Sequence, residues 1–104
     1  VPAFIAAAAS IGLSIVEQEE RLTVCPGKVD RELFSRIASG SEVAVVMKLS
    51  QCEEEVKHFI SLEEGLVCHY FENVGADGEF YTCDKKDILA REFPYFSLMI
   101  IKGR

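Results

Sequence analysis

The chain has 104 residues, 49% of them apolar, with 11 basic and 17 acidic side chains and a formal net charge of −6. That length fits one domain able to bury roughly two thirds of its unfolded surface. The acidic balance argues against nucleic-acid binding through phosphate contacts and against docking on an anionic membrane, and no apolar run approaches membrane-spanning length.

The first predicted element is a helix over Pro2–Leu13. Pro2 suits a first turn, Ala6–Ala9 has the best helix propensity, and Gly12 is a stop. Val1–Leu13 lacks a basic start and a following cleavage site, so it does not read as a signal peptide. With no initiator Met, the chain reads as a piece of a longer protein. Glu17–Glu20 is an acidic link, and Leu22–Cys25 a short strand closed by Pro26-Gly27. Asp30 is a good N-cap for a helix carrying Leu33, Phe34 and Ile37 on one face and ending at Gly40.

The organising stretch comes next. Val43–Met47 is an unbroken apolar run rich in β-branched residues, as in a strand covered on both faces. The chain leaves the sheet at Met47-Lys48-Leu49-Ser50. In open α/β folds, ligands bind beyond the carboxyl ends of parallel strands, which makes Met47 and Lys48 the first candidates for a small-molecule site.

A helix is expected over about Gln51 to Glu64. Cys52, Val56, Phe59 and Ile60 form its buried stripe, and Glu53–Glu55 complement the helix dipole. His58 reads as a surface residue four positions after Glu54. Gly65 ends the helix and Leu66–Phe71 is another strand, in which His69 reads as a satisfied core or edge residue. Asn73–Gly78 has a turn signature. Glu79–Cys83 is then a strand antiparallel to its predecessor. Asp84, with Asp87 three residues on, starts a short helix through Arg91 in a near capping-box pattern. Pro94 breaks it, Tyr95–Ile101 is the last strand, and Lys102-Gly103-Arg104 is a polar tail.

This order predicts an α/β fold, a single α/β/α sandwich with a mixed five-stranded sheet in which Val43–Met47 is internal. Cys25, Cys52, Cys68 and Cys83 lie far apart with no Cys-x-x-Cys pair. They are expected to be reduced, with no metal bound and Cys68 buried, in a cytoplasmic protein. There is no Gly-x-Gly-x-x-Gly, P-loop, Gly-x-Ser-x-Gly or His-Glu-x-x-His. Residue patterns alone reach a small-molecule site and no reaction.

Several stretches together resemble one family, the tetrapyrrole methylases, which methylate precorrins with S-adenosylmethionine. Val1-Pro2-Ala3-Phe4-Ile5-Ala6-Ala7-Ala8-Ala9 resembles the family segment that follows a Pro-Gly. Glu20-Arg21-Leu22-Thr23-Val24-Cys25-Pro26-Gly27 resembles the next segment of the branch acting on precorrin-2 at carbon 20. Val43–Lys48 is similar to the strand whose Met meets the cofactor. Glu72-Asn73-Val74-Gly75 is similar to the following strand end, and Tyr95-Phe96-Ser97-Leu98 to the final strand of that branch.

The likeness spans the whole chain but only the second half of such an enzyme. It implies that residues 1–104 are a C-terminal domain, and that the N-terminal domain, with its Gly-x-Gly-Pro-Gly-Asp-Pro loop, is absent. It further implies S-adenosylmethionine as cofactor, precorrin-2 or cobalt-precorrin-2 as substrate, and a homodimer. Met47, Lys48, Asn73, Val74, Phe96, Ser97 and Leu98 would form one wall of the cofactor site. Alternatives are another precorrin or uroporphyrinogen methylase, or a non-catalytic α/β binding or dimerisation module.

Overall fold

The computed structural model describes Ala7 and residues 21–104. The expected helix over Pro2–Leu13, apart from Ala7, and the link at Glu17–Glu20 lie outside the described residues.

Within residues 21–104, five strands and three helices follow in order: β1 (Arg21–Pro26), α1 (Arg31–Ala38), β2 (Glu42–Met47), a 3-10 turn (Leu49–Gln51), α2 (Glu53–Leu62), β3 (Leu66–Glu72), β4 (Phe80–Thr82), α3 (Lys85–Ala90) and β5 (Ser97–Gly103). They form one mixed sheet in the order β1-β2-β5-β3-β4. β1 runs parallel to β2, and β5 lies between β2 and β3, antiparallel to both. β4 completes a hairpin with β3. The predicted mixed five-stranded sheet with an internal Val43–Met47 is therefore the fold observed.

Side chains alternate across this sheet, as strand geometry requires. Ala44 and Val46 of β2, Met99 and Ile101 of β5, and Cys68 and Tyr70 of β3 pack with Leu33, Phe34 and Ile37 of α1, Val56 and Ile60 of α2 and Ile88 of α3. Val43, Val45, Phe71, Leu98 and Ile100 face the other way, where helical Ala7 is fully buried among them. Both sides of the central strands are thus dry, which explains a run of apolar residues with no polar alternation.

Local signals account for the ends of these elements. Asp30 caps α1, its Oδ1 accepting from the Leu33 N–H at 2.8 Å. Gly40, at φ 86, closes α1: its N–H donates to Ile37 O and that of Ser41 to Arg36 O, a Schellman arrangement. Several boundaries and one cap differ from expectation. The 3-10 turn occupies the predicted start of α2, so that helix begins at Glu53 and stops at Leu62. β5 starts at Ser97, not Tyr95, because Pro94 and the two aromatics form a loop. It runs on through Lys102 and Gly103, which pair with Val67 and Leu66. Glu79 lies outside β4, its carboxylate accepting from the Gly75 N–H at 2.6 Å. Asp84 caps α3 through the Lys86 N–H, but Asp87 accepts from the Thr82 hydroxyl, so no reciprocal capping box forms.

Among the described residues no helix is long and apolar enough to cross a membrane.

Candidate functional site

Register decides which strand ends meet. Met47 lies opposite Leu98, and Leu98 opposite Phe71, so one row crosses β2, β5 and β3 at the carboxyl end of β2 and β3. Beyond that row the chain departs in two turns. Lys48 and Asn73, the non-glycine residues with positive φ among those described, stand at φ 53 and φ 51. Left-handed backbone is uncommon away from glycine and asparagine. Here it carries the chain sharply off the end of β2 and off the end of β3.

The loops so produced enclose a cleft of about 390 Å³, lined by Met47, Lys48, Phe71, Asn73, Val74, Ala76, Tyr95, Phe96, Ser97 and Leu98. All seven residues predicted as a cofactor wall line it. Phe71, Ala76 and Tyr95 were missed. Phe71 was within reach of sequence reasoning, since it ends the predicted strand Leu66–Phe71 just before the predicted wall residues Asn73 and Val74. Tyr95 was assigned to a strand, and Ala76 to a turn.

The floor is apolar. Leu98 is 5% exposed and Phe71 2%, and Met47 is half-buried. Phe71 stacks at a tilt against Tyr81, 5.0 Å between centroids. The mouth is different: Tyr95 and Phe96 are 73% and 69% exposed, set edge to face at 4.8 Å. Backbone bonds tie the walls. The Gly27 N–H donates to Met47 O at 2.9 Å, and the Asn73 N–H to Phe96 O at 2.9 Å. Gly27 stands at φ 80, the left-handed region that favours glycine, where its N–H turns to Met47 O.

Polar groups are few. The Ser97 hydroxyl turns away to Pro94 O at 2.7 Å. Asn73 Nδ2 donates to Gly78 O at 3.3 Å, leaving Oδ1 as an acceptor. Lys48 is the charged side chain of the lining and is exposed. Two other concavities lack an apolar floor. One is lined mainly by Ser50, Gln51, Glu53–Glu55, Lys57 and Arg91, the other by Arg21, Arg36, Ser41 and Glu42. Small-molecule sites are mostly apolar with a few placed polar groups, which favours the cleft at Met47.

The remaining candidates stand elsewhere. His58 is exposed on α2. His69 is satisfied by the Tyr81 hydroxyl at 2.7 Å, and burial, followed by the Lys102 charge, holds its pKa below the usual imidazole value. Cys25, Cys52 and Cys68 are buried, as expected for Cys68, and Cys83 is exposed. Burial pushes the Cys52 and Cys68 thiols up to about 11, which suits packing rather than nucleophilic chemistry. Among the described residues no cluster of three or more His, Cys, Asp or Glu could hold a metal.

No family model and no curated protein matches the chain. Solved structures do. The uroporphyrin-III C-methyltransferase of Thermus thermophilus aligns at TM-score 0.67 and 15% identity, covering 98% of this chain and 48% of that one. A uroporphyrin-III C-methyltransferase of the same organism, complexed with S-adenyl homocysteine, aligns at TM-score 0.56 and 12% identity over 93% of this chain and 48% of that one. The chain thus spans about half the length of the structures it matches, and at such identities the likeness speaks to fold. This chain has the fold of about half of a uroporphyrin-III C-methyltransferase.

Proposed function

We propose that the chain is the C-terminal half of an S-adenosylmethionine-dependent tetrapyrrole methylase, acting on precorrin-2 or cobalt-precorrin-2 at carbon 20. The observation that carries this reading is the cleft at Met47. Seven residues picked by resemblance to the family's cofactor wall come from three separate stretches of sequence, and all line one apolar hollow. The shared fold with methyltransferases, one of them complexed with S-adenyl homocysteine, supports it further.

The residues present fit such a cofactor. When bound, it supplies a methyl group activated on a sulfonium. Transfer is an in-line displacement that needs positioning and exclusion of water more than a nucleophilic side chain. Phe71 and Leu98 form a dry floor, and Met47 offers a polarisable thioether to a flat ring. Asn73 presents an amide oxygen, and Lys48 places a cation at the mouth. Tyr95 and Phe96 extend an apolar ledge outward. With one wall in hand, the chain alone is expected to bind weakly and not to methylate, because the surface that would close the cleft comes from the other half. A homodimer is part of the same reading.

Calorimetric titration of S-adenosylhomocysteine into the enzyme containing this chain tests it. Met47→Asp puts a carboxylate on the ring face and should nearly abolish binding, and Met47→Ala should weaken it less. A folded Met47→Asp protein with unchanged affinity would refute the assigned site. The solved structures of this fold are named for uroporphyrin III. Uroporphyrinogen III and precorrin-2 should therefore be assayed side by side, and methylation of the former alone would move the chain to that sibling activity.

A further inference from the structure

Behind the cleft, on the opposite side of the sheet, runs a continuous chain of charged groups. Glu72, the last residue of β3, is 7% exposed. Its Oε2 accepts from the Tyr70 hydroxyl at 2.5 Å and from Arg91 Nε at 2.9 Å, and its Oε1 accepts from an Arg91 terminal nitrogen at 3.1 Å. The Arg91 guanidinium lies over the Phe80 ring, 3.9 Å from its centroid. Arg91 O accepts from Lys57 Nζ. The same Nζ donates to Glu53 Oε2 at 2.8 Å and sits 4.8 Å from the Phe93 ring centroid. Glu53 Oε1 in turn accepts the Phe93 N–H at 2.8 Å.

The two ends of this chain adjoin the segments that form the two walls of the cleft. Glu72 is bonded to Asn73, which turns at φ 51 into the lining. Phe93 begins the loop that carries Tyr95 and Phe96. The walls also meet directly, through the Asn73 N–H and Phe96 O. We propose that the Glu72–Arg91 pair, extended by Lys57 and Glu53, is a latch that positions the two loops of the cleft against each other. The proposal rests on the cleft being the cofactor site. Glu72 and Arg91 do not line the cleft and are positioning residues. A bidentate guanidinium–carboxylate pair fixes direction as well as distance, which a lysine cannot do. Loops that are not held in the binding geometry must be ordered when the ligand arrives, which weakens affinity.

A matched pair supplies the control. Glu42, 5% exposed, accepts from Arg36 Nε at 3.0 Å and from the Thr23 hydroxyl at 2.8 Å, at the far end of the sheet. Glu72→Gln and Arg91→Lys are made beside Glu42→Gln and Arg36→Lys. Each is checked for folding by melting and titrated with S-adenosylhomocysteine, and exchange of the Asn73 amide is followed by NMR. The latch variants should raise Kd about tenfold and speed Asn73 exchange about tenfold, at temperatures where they are folded. The Glu42 and Arg36 variants should lower the melting temperature and leave both readouts within about twofold of wild type.

The idea is overturned if folded latch variants bind and exchange as wild type, or if the control pair changes both readouts equally. Should Glu72→Gln not fold, Lys57→Met leaves the Glu72–Arg91 pair in place and should give a smaller change in the same direction; no change would again overturn it. If wild type binds no S-adenosylhomocysteine, the functional reading fails, and the Asn73 exchange contrast still decides the latch.

Discussion

The two ends of the sheet are built from like parts and do different things. At the amino end of β2, Glu42 is held by Arg36 and Thr23, and the chain enters the strand straight from a Schellman turn. At the carboxyl end of β3, Glu72 is held by Arg91 and Tyr70, but the chain then swings through a left-handed residue, as it does after β2. The first end seals the helix-covered side of the sheet. The second leaves an apolar hollow on the other side, between loops that diverge. A buried carboxylate–guanidinium pair does not by itself mark a functional site. What distinguishes the second is the lining of the hollow beyond it, which is mainly apolar, whereas the concavity at Arg21, Arg36, Ser41 and Glu42 has no apolar floor.

Removing either carboxylate should give the largest effects. Glu72→Ala and Glu42→Ala each remove a buried carboxylate that holds an arginine, and each should lower the melting temperature by several degrees. The loss stays below that for a fully buried pair, because Arg91 and Arg36 are 38% and 49% exposed and can turn to water. Thermal melts would check this. A Glu42 cost near zero beside a large Glu72 cost would break the likeness of the two ends. Met47→Asp comes next, with about a hundredfold loss of S-adenosylhomocysteine affinity, roughly 2.7 kcal/mol, and Met47→Ala should lose about three- to tenfold.

A smaller effect is expected from acid. Burial acts to raise the Glu72 pKa, but hydrogen bonds from Arg91 and Tyr70 outweigh it and hold the carboxyl below its usual range. Lys57 does the same for Glu53, helped by the Phe93 N–H. Groups with depressed folded pKa values contribute stability above their unfolded pKa and lose it as pH falls through the folded one. The melting-temperature gap between wild type and Glu72→Gln should therefore be full at about pH 7 and shrink below about pH 4. A gap constant down to about pH 3 would mean that the latch is not held by charge.

The smallest change belongs to Lys48→Gly. It relieves a left-handed backbone while adding freedom to the unfolded chain, so melting should move by no more than a few degrees. Any larger loss of ligand affinity would then belong to the lysine side chain at the mouth, and none would remove Lys48 from the site.

Much of this molecule was legible along the chain because short-range forces decide it. Asp30, Gly40 and the Cys52–Val56–Ile60 spacing act within a turn or two, so α1 and α2 could be placed to within a few residues. Val43–Met47 read as a buried strand because it is apolar on both sides. Strand ends beside Gly and Asn signals are also local, and resemblance could therefore name Met47, Asn73 and Phe96 as neighbours before any geometry was known. Three things were left to tertiary structure. Insertion of β5 between β2 and β3 carries Leu98 to both Met47 and Phe71, across gaps of 51 and 27 positions. Nothing local encodes that choice. The start of β5 was misplaced because apolar Tyr95 and Phe96 look like strand residues, whereas they lie in the loop before the paired residues and stand exposed. Glu72 and Arg91, 19 positions apart, look like two ordinary surface charges until the end of α3 is folded over the end of β3. Propensity and periodicity act over a few residues. Burial and pairing of charges depend on which distant segments the folded chain brings together.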